Sequence, residues 1–253
     1  MKRFVRLAAT FAAVMTLGTS ASADEALIAV ATNFARTASA LATPFTQQTG
    51  HDLTFSSGST GVLHAQITQG APFDAMLSAD SATARRLEDE GHAVAGSRFR
   101  YAIGRLVVWS ADPARIGTDG AAALADPGVR HIAIANPRLA PYGAAARQAL
   151  ERLGLWPDVE SRIVMAENIG QAQALIATGA ADLGFVAASG LVGAGPSAEG
   201  SRWDVPQQYF DAIVQDAVLL QHGRDDEAAR SFLAFLRSSE AREIIRRHGY
   251  ATD

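Results

Sequence analysis

The chain has 253 residues, of which 48% are hydrophobic and 19% charged, with a formal net charge of −4. That composition belongs to a globular chain, and the length suits two domains or lobes. The absence of cysteine excludes disulfides, thiolate metal sites and a cysteine nucleophile. The acidic balance leaves no footprint for nucleic acid.

The first 23 residues read as a secretory signal peptide. Lys2, Arg3 and Arg6 form a basic start, Leu7 to Leu17 is apolar, and Ala21-Ser22-Ala23 is a small-x-small cleavage site. The apolar run is too short to span a bilayer. Cleavage after Ala23 removes three basic residues and no acidic ones, taking the formal charge from −4 to −7. The mature chain is expected to be exported and soluble. An anion site on so acidic a chain must be local, because its overall field does not steer anions.

Beyond Asp24 one local pattern recurs. Leu27 to Ala31 is an apolar run, Thr32-Asn33 a turn or cap, and Phe34 to Gln48 a helix stopped by Gly50. Leu53 to Phe55 leads into Ser56-Ser57-Gly58-Ser59-Thr60-Gly61, and Val62 to Gln69 follows as a helix. Phe73 to Leu77 is a strand candidate, and Asp80 caps a helix from Ser81 to Glu90. Tyr101 to Trp109 is a long β-rich run whose Gly104 suggests a bend or crossover. His131 to Ala135 is the next strand; Asn136 to Gly143 is a loop with two prolines and Tyr142, and a helix then runs to Gly154. Arg162 to Met165 leads through Asn168-Ile169-Gly170 into a helix from Gln171 to Thr178. Ala181 to Ala187 is a strand, Gly190 to Arg202 a surface loop and Ile213 to Leu220 a second long β run. One final helix is expected from Asp225 to Arg247.

Alternating strands and helices predict an α/β fold with parallel or mixed sheets covered by helices. The two long β runs read as crossovers between two lobes: residues 24–103 with 212–253, and residues 104–211. A ligand then belongs in the cleft between them, at the carboxyl ends of the strands. Four strand-to-helix junctions carry Ser, Thr, Asn, Tyr and Gly, and no Lys or Arg. A helix start offers unpaired N–H groups and the positive end of the dipole, so it holds an anion without a cationic side chain. The side chains of Thr32, Asn33 and Thr60 are expected to add donors.

Other chemistries find little support. The six histidines are scattered without metal-ligand spacing. Ser59-Thr60-Gly61 lacks the lysine of a phosphate loop. There is no G-x-S-x-G elbow for a serine hydrolase, and Asp74, Asp80 and Asp182 read as capping residues at strand ends.

Ala29 to Phe34, Ser56 to Gly61 with Ala65-Gln-Ile67, Gly70-Ala-Pro72, Ser78-Ala-Asp80, Tyr101 to Gly104, Ile134 to Pro137 with Ala140 to Gly143, and Ala181 to Phe185 follow one another in the order of a known family. In these motifs the mature chain resembles the periplasmic molybdate-binding proteins of ABC importers. The resemblance implies a two-lobed type II binding protein that closes on molybdate or tungstate, has no cofactor and no catalysis, and delivers its ion to a membrane permease. A monomer is expected. It places ligand contacts at Thr32 and Asn33, at Thr60 with Ser59 beside it, and at the main-chain N–H groups of Tyr142 and Ile169. Thr32-Asn33 stands where many members carry Ala-Ser. Some members use a tyrosine at the position of Ala187, a role that would pass here to the Tyr142 hydroxyl. A binding protein for sulfate or another tetrahedral oxyanion, and an exported oxyanion-ester hydrolase, are the alternative readings.

The cleavage site fixes one measurable outcome. Intact mass of the chain recovered from the periplasm should correspond to a start at Asp24; a mass retaining residues 1–23 there would contradict the signal reading.

Overall fold

The computed structural model describes residues 24–193 and 195–252; the segment read as a signal peptide lies outside them. The first lobe starts with β1 (Glu25–Ala31), which runs through a 3-10 turn at Thr32–Phe34 into α1 (Ala35–Thr49). There follow β2 (Asp52–Gly58), α2 (Thr60–Thr68), β3 (Ala75–Leu77), α3 (Ser81–Asp89) and β4 (Phe99–Gly104). After Arg105 the chain enters a second sheet with β5 (Leu106–Ser110), α4 (Gly120–Ala125) and β6 (Ile132–Ala135). It goes on through α5 (Pro141–Arg152), α6 (Trp156–Val159), β7 (Ile163–Ala166), α7 (Ile169–Ala177), β8 (Leu183–Ala187), α8 (Ala188–Leu191) and β9 (Ser201–Asp204). It returns to the first sheet with β10 (Ile213–Leu219) and ends with α9 (Glu227–Phe235) and α10 (Ser239–Arg247).

The two sheets share one plan. The first has the order β2-β1-β3-β10-β4 and the second β7-β6-β8-β5-β9. In each, three neighbouring strands are parallel, and the fourth, antiparallel strand arrives from the other half of the chain. The expected crossovers therefore lie at Arg105 and between β9 and β10. Parallel strands linked by helices start all their helices from one edge, so the junctions after β1, β2, β6 and β7 end on the same side of their sheets.

Packing explains why β1 reads as an unbroken apolar run rather than an alternating one. Ala26, Ile28 and Val30 join the core that holds Phe34, Phe45, Phe232 and Ile245. Ala29 lies in the core on the other face with Leu63, Met76, Leu87 and Val218. Full burial of each large apolar side chain is worth about 1.5–3 kcal/mol. Phe232, at 0% exposure, brings α9 back onto β1, as expected for a returning C-terminal segment.

Two elements differ from the sequence reading. The single helix expected over Asp225–Arg247 is two. It breaks at Leu236–Ser238, and Ser238 Oγ caps α10 by accepting the Ala241 N–H at 3.1 Å. The apolar period continues across the break, which is why it reads as one helix. The loop expected over Gly190–Arg202 gives up its end to β9, whose Ser201 and Arg202 pair with Ser110 and Trp109.

β6 and β8 lie so close that a Cβ added to Gly184 would sit 2.2 Å from the Ala133 carbonyl oxygen. Gly184→Ala should therefore destabilise the second lobe by about 1–3 kcal/mol. A drop in thermal midpoint of the ligand-free chain is the readout.

Candidate functional site

The four junctions meet between the lobes. Thr32, Asn33, Ser59 and Thr60 from the first and Tyr142 and Ile169 from the second line one cavity of about 210 Å³, counted out to open solvent. Its remaining lining is Ala31, Gly58, Ala79, Ala140, Pro141 and Asn168, so no charged side chain faces it. This space suits a small ion held by neutral groups.

The helix starts are arranged for that. Away from the cavity, α3, α4, α9 and α10 are each capped by a side chain: Asp80, Asp119, Asp226 and Ser238. At the cavity, the turn after β1 and the helices α2 and α5 have no side-chain cap, and α5 begins with Pro141 after Ala140. Only α7 is capped there, by Asn168 Oδ1 accepting the Gln171 N–H at 3.0 Å. A cap satisfies a helix's orphan donors; leaving it out keeps for a ligand those that no carbonyl takes, as the Leu139 carbonyl takes the Gly61 N–H of α2.

Ser59 occupies the N-cap position of α2 without capping it, and its buried Oγ has no hydrogen-bond partner. A buried hydroxyl left unpaired costs about 1–3 kcal/mol, which an anion accepting from it would relieve. Thr60 Oγ1 accepts the Ala79 N–H at 3.2 Å, so its own proton remains to be donated. Glu167 is exposed, and no carboxylate competes for the donors in the cavity.

Asn33 does something other than expected. Its amide donates one hydrogen to Gln215 Oε1 at 2.9 Å and the other to the Tyr250 hydroxyl at 3.0 Å. Its main-chain carbonyl accepts from the Tyr250 hydroxyl at 2.7 Å and from Ser189 Oγ at 3.0 Å. The side chain is thus spent on the hinge, and what Asn33 can offer an ion is its main-chain N–H. The Tyr142 hydroxyl likewise meets the hinge. It accepts from Gln215 Nε2 at 3.3 Å and lies where a Cβ on Gly104 would be. Ala187, where some members carry a ligand tyrosine, is buried at the end of β8. Burial holds the hydroxyls of Tyr101, Tyr142 and Tyr250 well above their ordinary pKa, so all three stay neutral.

The cluster around Gln215 escaped the sequence reading. Gln215 is fully buried on β10, and its Oε1 also accepts from the Tyr101 hydroxyl at 3.1 Å. The signal that could have found it is a polar pair, Gln215-Asp216, inside an otherwise apolar strand; the structure puts a register shift there.

Two α/β lobes with crossed connections, closing on a small cavity of uncharged donors, define a solute-binding protein for an anion. The chain belongs to the bacterial extracellular solute-binding protein family, whose model matches residues 26–251. It is 46% identical to the molybdate-binding protein ModA of Rhodobacter capsulatus over 97% of this chain and 96% of that one. It is 44% identical to ModA of Azotobacter vinelandii over 92% of each. The solved periplasmic molybdate-binding protein of Azotobacter vinelandii superposes with a TM-score of 0.86 at 43% identity, over 90% of this chain and 99% of that one.

The two polar residues should separate in experiment. Ser59→Ala removes a buried, unpaired hydroxyl, so it should raise the thermal midpoint of the ligand-free chain and weaken anion binding roughly tenfold. Asn33→Ala should lower that ligand-free midpoint, by about 1–3 kcal/mol of stability, because it takes one buried hydrogen bond from Gln215 and one from Tyr250. An unchanged midpoint in Asn33→Ala would show that its side chain serves the ion alone.

Proposed function

We propose that this chain captures molybdate, and tungstate with it, outside the cytoplasm and passes it to the membrane permease of an ABC importer. The observation that carries this reading is the cavity between the lobes, lined by neutral groups from both and by no charged side chain. The relatives named for molybdate binding supply the ion. The chain acts as a monomer without catalysis, exported by the signal peptide ending at Ala23. Its moving bodies are residues 24–103 with 212–253, and residues 104–211. Thr32, Ser59 and Thr60 donate from the first lobe with the main chain of Asn33. The main-chain N–H groups of Tyr142 and Ile169 donate from the second.

The donor set decides which anions are accepted. A fully ionised tetrahedral dianion needs only donors. Phosphate near neutral pH keeps at least one proton, and a buried P–OH is best met by a carboxylate acceptor, which the cavity lining lacks. Sites built for one pairing discriminate strongly against such a mismatch. Sulfate meets the donor rule and has to be rejected by size.

Competition calorimetry against molybdate is the test. Tungstate should compete on equal terms, sulfate weakly, and phosphate at least about a hundredfold more weakly than molybdate. Phosphate competing as well as molybdate would overturn the donor-only site.

A further inference from the structure

Two glycines meet the opposite lobe, each directly after a residue that lines this cavity, Thr60 or Ile169. Gly61 is the second residue of α2 and Gly170 the second residue of α7. The Gly61 N–H donates across the cleft to the Leu139 carbonyl at 2.9 Å. A Cβ built on Gly61 would lie 3.1 Å from that oxygen and 3.2 Å from the Leu139 Cα. On the other side, a Cβ on Gly170 would lie 2.6 Å from Thr32 Cγ2. Each lobe therefore presents one ion-site helix whose second residue touches the facing lobe; at Gly170 the contact has no room for a methyl group, and at Gly61 a methyl group fits only if Leu139 gives way by a few tenths of an ångström. Neither glycine has a left-handed φ, so backbone conformation does not demand glycine at either place.

We propose that Gly61 and Gly170 are affinity-determining residues: their bare Cα atoms let the lobes close fully, and a side chain at either wedges the cleft open. The proposal rests on the reading of the cavity as an oxyanion site. The donors are split between the lobes, so an ion gains its full set only in the closed form. Apparent affinity then scales with how readily that form is reached. Of the two, Gly170 is the tighter contact, because Thr32 Cγ2 belongs to a stiff β-branched side chain. At Gly61 the obstacle is main chain, which gives way only by moving the lobe.

The test is a set of four chains: the parent, Gly61→Ala, Gly170→Ala, and Gly170→Ala with Thr32→Ser. The serine removes the obstructing methyl and keeps the hydroxyl. Molybdate dissociation rate and affinity are measured on each, with small-angle scattering at saturating molybdate and thermal unfolding without ligand. Both alanine variants should unfold like the parent when ligand-free, since the open lobes do not touch there. Both should bind molybdate roughly tenfold or more weakly, through faster dissociation, and stay less compact when saturated. The double variant should recover most of the affinity and the compaction that Gly170→Ala loses. A parent that no oxyanion compacts would overturn the functional reading and this proposal with it. A parent that compacts, beside alanine variants that bind and compact equally well, would overturn this proposal alone. So would a double variant no tighter than Gly170→Ala, since the methyl contact would then not be the cause.

Discussion

Removing a charged ion from water with no opposite charge to meet it is among the most costly steps in protein chemistry. This chain meets that demand with partial charges fixed in place. Helix starts carry them at no cost in side-chain entropy, because the N–H groups are held by the helix itself. The condition is that those groups are not already satisfied. Hence Ala31, Ala140 and Pro141 stand where a capping side chain would otherwise serve, and Ser59 holds the cap position of α2 with its oxygen unpaired. Away from the cavity, α3, α4, α9 and α10 carry Asp or Ser caps, while the four-residue helices α6 and α8 have none. The parallel arrangement of β1 with β2 and of β6 with β7 serves the same need, since it places those helix starts on one edge of each sheet.

A donor set divided between two bodies also requires a joint that carries polar groups without stranding them. Gln215 on β10 supplies it. Its amide joins Asn33 and Tyr101 of the first lobe to Tyr142 of the second, while Ser189 of the second lobe reaches the Asn33 carbonyl. The first-lobe members need no closure to remain paired; the bonds to Tyr142 and Ser189 cross to the other lobe. Because burial keeps the three tyrosines neutral, the joint does not add charge near an anion. A polar network in a low-dielectric interior is useful only when its members are satisfied, and this one is.

What was legible in the sequence follows from the range of each signal. The junctions at Thr32-Asn33, Ser59-Thr60, Tyr142 and Ile169 are written in a few consecutive residues: an apolar run, then turn chemistry, then a helical period. All six residues line the one cavity. The two crossovers were legible as long β runs without an intervening helix. The direction of a side chain was not. Asn33 finds Gln215 at a separation of 182 residues and Tyr250 at 217, and nothing near Asn33 in the chain announces either. The break before α10 was hidden for the opposite reason. Phe232, Leu233, Leu236, Ile244 and Ile245 keep an apolar spacing that a single helix would also give, and only the cap at Ser238 marks the division.

The glycine contacts bear on how an ion could be chosen by size. Two lobes that close only through their ligand would tighten further around a smaller one. Here main chain meets main chain first. The Gly61 N–H reaches the Leu139 carbonyl at an ordinary hydrogen-bond distance of 2.9 Å, and closer approach meets steep repulsion. On the proposed reading the gap between the facing helix starts is therefore set by the protein. A tetrahedral ion that spans the gap accepts from both lobes at once. A smaller ion with the same charge accepts well from one lobe and poorly from the other, because hydrogen bonds weaken quickly beyond their normal length. Discrimination between two dianions of equal charge then needs no group that repels the wrong one. It needs a rigid stop, and residues without side chains where the stop is made.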